Sequence, residues 1–245
     1  MTDGLLLFSR YAYPPNRLGY CGSDDHESLL GYLSEGRADE GLGQLARRFE
    51  GAYPYLRLIA LANGIGDPFD ERVVEAYWIS NQLLDRVGAA PFFESLKARF
   101  RPKMPPKDFA WMASALPRGA KPHHNFHVFD VYRRAGLMHD ERAVVAIDRM
   151  DQCRISWGKV IMAEGAELVV ERSPLVFTGG SIGLGAPRIV KVLRHLDARG
   201  SPRDYATGDF VSLHWNWACD RIGNRELGHL IRATRRALYH TNLTL

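Results

Sequence analysis

Histidine side chains are concentrated in one short stretch of the sequence. His123, His124 and His127 lie in the run His-His-Asn-Phe-His, and imidazole nitrogens are common ligands of zinc and iron. If the run is helical, His123 and His127 face the same side, as paired metal ligands on a helix do. If it is a strand, the side chains diverge and the run predicts polar packing at a domain junction. A carboxylate ligand would have to come from elsewhere: Asp130, Asp24 or Asp25.

A second group of reactive residues lies near the N-terminus. Residues 10–22 are rich in aromatic residues, proline and glycine, and Cys21 and His26 lie at or just beyond the end of this segment. We interpret the segment as a loop that lines a cleft or wraps the helical part. In that position, Cys21 and His26 could join the three histidines in one site. Alternatively, the segment is an aromatic strap packed on the core.

The chain contains three cysteines, Cys21, Cys153 and Cys219, and no Cys-x-x-Cys pair. An odd number cannot pair completely within one chain, so a reducing, cytoplasmic location is the simplest inference. A functional cysteine in such a protein acts as a thiolate, which is a soft ligand and a nucleophile. Cys219 has the pattern of a core position.

The composition limits the class of protein. Of 245 residues, 46% are hydrophobic and 24% are charged, with a net charge of +4, as in a soluble globular chain. The basic residues form no concentrated stripe, so we expect no nucleic-acid partner. The sequence has neither a signal-peptide pattern nor an apolar run that could span a bilayer, so we expect no membrane partner. It also lacks a nucleotide-binding glycine motif and a Gly-x-Ser-x-Gly elbow.

The elements that must position these residues change character along the chain. Up to about residue 150, the apolar spacing predicts helices over 26–36, 54–62, 70–84, 92–100, 109–116 and 141–150. For residues 121–132 the β-branched and aromatic content favours a strand, although a helix is an alternative.

After residue 151 the pattern becomes extended. We predict a hairpin over 159–172, a glycine-rich hairpin loop at 179–185, an extended run at 188–193 and a last strand at 209–214. An amphipathic helix from Asn224 ends the chain. Short strands followed by a helix indicate a small barrel.

Two motifs in this second half occur in the order found in a known family. The first begins at Cys153 and reads Cys-Arg-Ile-Ser-Trp-Gly-Lys-Val, and a hairpin follows it. The second begins at Gly208 and reads Gly-Asp-Phe-Val-Ser-Leu-His-Trp-Asn-Trp-Ala, with His214 as its histidine. In this order, residues 151–235 resemble the HypC/HupF family of NiFe-hydrogenase assembly chaperones. Those proteins open with Cys-Leu-x-Ile-Pro-Gly-Lys-Val and close with Gly-Asp-Tyr-Val-Leu-Val-His-x-Gly-Phe-Ala.

The resemblance completes the expected fold. It implies that residues 151–245 form an OB-like β-barrel with a C-terminal helix. With the mainly helical domain that the apolar spacing predicts for residues 1–150, the chain is expected to be an α+β protein. Three positions differ from the family pattern. Trp157 stands at the family's proline, Asn216 stands at its glycine, and Cys153 lies inside the chain rather than at an N-terminus.

The resemblance also implies a function in hydrogenase maturation. Cys153 would bind the iron fragment Fe(CN)2CO as a transient cargo, and His214 would support it. A soft thiolate suits low-spin iron that carries cyanide and carbon monoxide. The expected partners are a HypD-like maturation scaffold and the NiFe-hydrogenase large subunit. Such a protein delivers the iron fragment and docks on its partners, and it catalyses no reaction of its own.

Two other functions agree with the same sequence. In the first, the protein is a metal-dependent enzyme that binds another divalent metal through His123, His124 and His127, and the barrel is a structural or recognition module. In the second, the protein is an adaptor without metal. The N-terminal half is also similar to uncharacterised bacterial proteins, a similarity that assigns no chemistry.

Overall fold

A computed structural model describes residues 3–131, 142–196, 199–200 and 204–245. The chain is an α+β protein, as the sequence predicts. Helices come first: α1 (Gly4–Arg17), α2 (His26–Glu35), α3 (Glu40–Arg47), α4 (Tyr53–Ala62), α5 (Glu71–Trp78), a 3-10 helix (Gln82–Arg86), α6 (Ala89–Phe100) and α7 (Pro106–Ala113). The short α8 (His124–Phe126) continues into a π-helical turn (His127–Val131), and α9 (Arg142–Cys153) follows.

Helices with clear end signals agree with the prediction. The Asp70 side chain accepts a hydrogen bond from the Arg72 backbone N–H and begins α5, and Gly36 ends α2 in the left-handed conformation at φ 62°. The helix predicted from residue 141 is present as α9, although residue 141 itself lies outside the described residues.

Two predicted segments have a different structure. Most of the predicted loop at residues 10–22 belongs to α1, which Asp3 caps by accepting a hydrogen bond from Leu5 N at 2.8 Å. Two prolines lie inside this helix, Pro14 and Pro15, and each removes a helical hydrogen bond. The burial of the core-facing residues of the helix compensates this loss. Residues 121–131 form no strand. They form a turn, α8 and the π-helical turn, while residue 132 lies outside the described part of the chain.

The strands follow α9 in the order β1 (Ser156–Glu164), β2 (Glu167–Arg172), β3 (Leu175–Thr178), β4 (Ser181–Leu184), β5 (Arg188–Leu193), β6 (His195–Leu196), β7 (Arg199–Gly200), β8 (Phe210–His214) and β9 (Trp217–Ile222), and α10 (Asn224–Asn242) ends the chain. Five of them pair in the order β1-β2-β5-β9-β8, and β8 pairs again with β1, so that the sheet closes on itself. The pairs are antiparallel except for β5 and β9, which meet in parallel at Leu193 and Trp217.

The predicted hairpins and the terminal helix are confirmed. Of the loop predicted at 179–185, only Gly179 and Gly180 form the turn between β3 and β4, both with positive φ, whereas Ser181–Leu184 form β4 itself. The strand predicted at 209–214 is present as β8, but it is not the last one. It turns directly into β9, which replaces β8 as the final strand.

The helices and the sheet share a hydrophobic core. Its largest cluster combines buried hydrophobic side chains from between Leu7 and Phe126 with others from the second half, including Ile155, Trp217, Cys219 and Leu230. The buried side chains of Arg10 in α1 and Asp220 in β9 form an ion pair at 3.1 Å across the contact. The change from helix to strand falls between Cys153 and Ser156, close to the predicted boundary. None of the helices in the described ranges combines the length and hydropathy needed to cross a membrane.

Candidate metal centre

Three donor side chains from distant parts of the chain meet in one place. His124 begins α8, Cys153 ends α9 and His214 ends β8. One ligand atom of each lies within 4.8 Å of the other two, and all three residues are buried. No other comparable group of histidine, cysteine and carboxylate side chains occurs among the described residues. The three side chains could therefore share one metal ion.

The ring of His124 has a contact at each nitrogen. Its Nε2 lies 2.8 Å from the carbonyl oxygen of Cys153 and 3.9 Å from the Sγ of that residue, and its Nδ1 lies 3.3 Å from the Tyr77 hydroxyl. Since a carbonyl only accepts, Nε2 holds the proton and donates it to Cys153. If the proton moves to Nδ1, it can be donated to Tyr77, whose hydroxyl contacts the Gly51 carbonyl at 3.2 Å. The lone pair of Nε2 then becomes free for a metal.

The ring of His214 is already in the tautomer that a metal requires. Its Nδ1 donates to the carbonyl oxygen of Tyr11 at 2.7 Å, so the lone pair lies on Nε2. That Nε2 atom is buried and makes no hydrogen bond of good geometry in the described ranges, with the Cys153 carbonyl as a neighbouring backbone acceptor. Tyr11 belongs to α1, and its hydroxyl bonds the Ser212 Oγ at 2.8 Å. The helix that the sequence predicted as a loop therefore orients one of the three ligands.

A buried ion-pair network fixes the end of α9, where Cys153 lies. The Asp151 carboxylate contacts the guanidinium groups of Arg154, at 3.0 Å, and of Arg172 in β2. It also accepts the backbone N–H of Leu175 at 2.9 Å. Two cations and one backbone donor around a single carboxylate compensate its burial. The network joins α9 to β2 and β3, and this limits the position of the thiol.

The turn between β8 and β9 closes the site from the other side. Trp215 and Asn216 both have positive φ, 49° and 57°, as a two-residue hairpin of type I′ requires. The backbone N–H of Trp215 donates to the carbonyl oxygen of Gln152 at 2.8 Å. This bond ties His214 and Cys153 together through residues that neighbour them in the chain.

A cavity of about 60 Å³ adjoins the three donors. The ring of Trp78 forms part of its wall, 4.8 Å from the ring of His124 and 5.7 Å from that of His214. Tyr20 stacks on Trp215 at 4.3 Å, and Tyr20 is half exposed, so this pair separates the cavity from solvent. The described lining contains no Asp, Glu, Lys or Arg. The site therefore contains no charged side chain, and its polar groups are the three donors, the Tyr77 hydroxyl and the side chains of Cys21 and His127.

Burial makes all three donors neutral when no metal is bound. It raises the pKa of Cys153 to about 12, with the nearby Cys21 acting in the same direction. It lowers the pKa of His214 to about 4, and that of His124 well below its ordinary value. A metal that binds here must displace the thiol proton, because the thiolate is the ligand.

The other predicted site residues are distributed over the molecule. Cys21 and His127 line the same cavity without belonging to the three-donor group. His26 begins α2 beside Glu27, outside this cavity. His123 precedes α8 in an extended conformation and lines a separate cavity. The four-residue spacing of His123 and His127 therefore does not bring them to one side.

The sequence placed Cys153 and His214 in one predicted site and His124 in another, whereas the structure joins them. Local spacing carries no signal for this, because the three donors come from three elements that meet only in the tertiary fold. The sequence interpretation also missed Tyr77 and Trp78 as neighbours of the site, since their apolar periodicity in α5 is equally typical of core residues.

Comparisons with known proteins identify a family. The model of DUF6390, described as a family of unknown function, matches residues 1–245, so the chain belongs to this family. No curated protein and no solved structure matches it.

Proposed function

We propose that this member of the DUF6390 family binds a soft metal unit between His124, Cys153 and His214, and that the unit is the Fe(CN)2CO fragment carried toward NiFe-hydrogenase. One observation carries the proposal. Cys153 and His214, which the resemblance to the HypC/HupF family pairs as iron-binding residues, are far apart in sequence and have donor atoms within 4.8 Å of each other.

The donor set suits iron of this kind. Two imidazoles and a thiolate favour soft or borderline metals, whereas magnesium and calcium prefer carboxylate and carbonyl oxygens. The described lining of the cavity contains no carboxylate. Three protein donors leave three positions of a six-coordinate iron for two cyanides and one carbon monoxide. The cargo would then need no further protein ligand.

The surroundings of the donors support a cargo of low charge. Iron(II) with two cyanides and carbon monoxide is neutral as a unit, and with one thiolate the complex carries a single negative charge. An apolar cavity accepts such a species more easily than a highly charged ion. The small volume, about 60 Å³, favours diatomic ligands over a larger organic substrate.

The closed five-stranded sheet followed by α10 supports the OB-like interpretation of residues 151–245. With it we propose the partners implied by the same resemblance, a HypD-like scaffold that supplies the fragment and the hydrogenase large subunit that receives it. The stacked pair Tyr20 and Trp215 would separate when cargo enters or leaves.

A metal-dependent enzyme is the second candidate. Three protein ligands with an open position are also the arrangement of catalytic zinc sites. Such an enzyme would use His124, Cys153 and His214 rather than the histidine run, since His123 lines a different cavity. Its metal would be resident and would survive purification without any maturation protein.

Infrared spectroscopy of the anaerobically purified protein tests the proposal. The chain is expressed with the hydrogenase maturation proteins, as wild type, as Cys153→Ala and as Cys219→Ala. Cys219 is a matched control, because it is a buried cysteine whose Sγ contacts the Trp217 carbonyl and lies outside the site. We expect cyanide and carbon monoxide stretching bands in the wild type and in Cys219→Ala, and none in Cys153→Ala.

Absence of these bands from the wild type, with the HypD-like scaffold demonstrably loaded, would contradict the carrier proposal. Stoichiometric zinc or iron in the same sample, lost in Cys153→Ala, would then favour the enzyme. A folded protein free of metal would favour the adaptor.

A further inference from the structure

A second, larger cavity lies on the other side of the segment that carries His124. Its volume is about 310 Å³, at the lower end of the range for small-molecule sites. His123 and Asn125 line it, whereas His124 between them belongs to the metal centre. The remaining walls come from the segment after α5 and from one side of α10.

A buried amide in the wall of this cavity has no hydrogen-bond partner among the described residues. Asn125 is only 3% exposed, yet neither its Oδ1 nor its Nδ2 has a hydrogen bond within the described part of the protein. A buried amide without hydrogen bonds destabilises the fold, so such groups are rare unless a ligand or water satisfies them. This side chain offers one acceptor and two donors to whatever occupies the cavity.

His123 adds a further polar group. Its Nδ1 accepts the backbone N–H of Asn125 at 2.9 Å, which places the ring proton on Nε2. That Nε2 atom is buried and has no hydrogen bond of good geometry in the described ranges, with the Ile79 carbonyl as its nearest backbone acceptor.

The charged groups of the cavity favour an anion. Lys121, Arg232 and Arg236 are the cationic lining residues, and Asp85 and Asp130 are the anionic ones. Lys121 contacts only the backbone carbonyls of Asp85 and Val87, and Arg232 contacts the Nδ1 of His229. Neither of these two cations has a carboxylate partner among the described residues. Guanidinium groups beside a neutral amide form a common arrangement for carboxylate and phosphate oxygens.

We propose that this cavity binds a small organic molecule with an acidic group, whose carboxylate or phosphate oxygens contact Arg232 and Arg236 and whose polar body bonds to Asn125. The site is separate from the metal centre, and it does not depend on the function proposed for that centre. Carboxylates and phosphates share the oxyanion that these groups recognise, and two probes distinguish them.

Titration of the full-length, isotope-labelled protein with inorganic phosphate and with succinate tests the site. The side-chain amide of Asn125 is followed by NMR. We expect a saturable shift of this signal with one probe or both. Arg236→Ala should weaken binding by about tenfold or more, because it removes a charge-assisted hydrogen bond to the oxyanion. Asn125→Leu should weaken it similarly, measured on the backbone signals of α10.

Arg235→Ala is the matched control. Arg235 is exposed, neighbours Arg236 on α10 and does not line the cavity. We expect this variant to bind like the wild type. Saturation by phosphate alone would identify the acidic group of the ligand as a phosphate ester, and saturation by succinate alone would identify it as a carboxylate. The proposal is overturned if neither probe saturates, or if Arg235→Ala and Arg236→Ala weaken binding equally, since equal losses indicate only a diffuse electrostatic attraction.

Discussion

The two cavities on either side of residues 123–125 differ in the polarity of the side chains that line them. The one beside Cys153 is small, has aromatic walls and contains no charged side chain in its described lining. The one beside Asn125 is about 310 Å³ and includes three cations and two carboxylates. Adjacent residues, His123 and His124, serve different cavities because α8 begins between them.

This difference teaches how one short segment can serve two kinds of chemistry. A metal requires few donors at fixed positions, and an apolar surrounding prevents competing ligands from approaching. A polar organic solute requires compensating charges and a path from solvent. The segment contributes to both cavities, because His123 and Asn125 face one cavity and His124 faces the other. A substitution at one of these residues therefore tests one cavity without removing a lining residue of the other.

The largest expected effect concerns the support of the metal cavity. Asp151→Ala leaves the guanidinium groups of Arg154 and Arg172 buried without their common carboxylate, and we expect a loss of about 3–5 kcal/mol in unfolding free energy. Urea unfolding measures it. Glu167→Ala, which breaks the exposed pair with Lys191, should cost only about 0–1 kcal/mol. Similar losses in both variants would show that the buried network contributes no special stability.

The next effect separates the two cavities directly. His124→Ala removes one of the three proposed metal ligands and should weaken Co²⁺ binding by more than about a hundredfold, which exceeds the effect typical of residues that only orient a ligand. His123→Ala should change it by less than about threefold, since His123 contacts the other cavity. Titration followed by the thiolate-to-cobalt absorption band measures both. Equal losses would contradict the separation of the two cavities.

Acidification should destabilise the metal-free protein through both cavities. Burial lowers the pKa of His123 to about 3 and that of His214 to about 4. The unfolded chain takes up these protons first, near pH 6.5, so stability is lost as the pH falls from there toward 4. Each histidine should contribute about 1.4 kcal/mol per pH unit. Urea unfolding between pH 7.5 and 4.5 measures the slope, and His123→Gln should reduce it. A flat profile would mean that these histidines take up protons equally in the folded and unfolded chain, which would contradict their lowered pKa values.

The smallest effect concerns the tautomer of His124. Tyr77→Phe removes the hydroxyl that can accept the Nδ1 proton, and we expect metal affinity to fall by about tenfold with the fold unchanged. Tyr55→Phe is the matched control, because Tyr55 is buried 5.8 Å from the Tyr77 ring and has no contact with His124 among the hydrogen bonds of the described chain. Equal metal affinities in the two variants would show that the Tyr77 hydroxyl does not contribute to metal binding.

Much of the fold could be predicted because its signals are local. Asp70 indicates the start of α5 because its side chain can accept a backbone N–H of the first turn, and Gly36 indicates the end of α2 because glycine readily adopts positive φ. The helix α10 has an apolar stripe at helical spacing. α1 was missed because prolines and aromatic residues are also typical of loops. β9 was missed because its turn uses Trp215 and Asn216, without the glycine that normally indicates a two-residue hairpin.

The site could be predicted only in part. Cys153 and His214 were found through an ordered pair of motifs, and the structure brings their donor atoms together. The third donor was predicted in a different site, because the distance between α8 and the other two elements depends on packing rather than on spacing. The Tyr11 carbonyl that orients His214 is a backbone atom, so residue type could not reveal it.

The order of the donors along the chain has a consequence for biosynthesis. His124 and Cys153 leave the ribosome well before His214, which ends β8, a strand that pairs with the earlier strand β1. A nascent chain that ends before β8 therefore presents two donors and an open apolar wall. If the three residues bind a metal as proposed, the complete set of donors forms only after β8 has been synthesised, and a product truncated before β8 would lack His214.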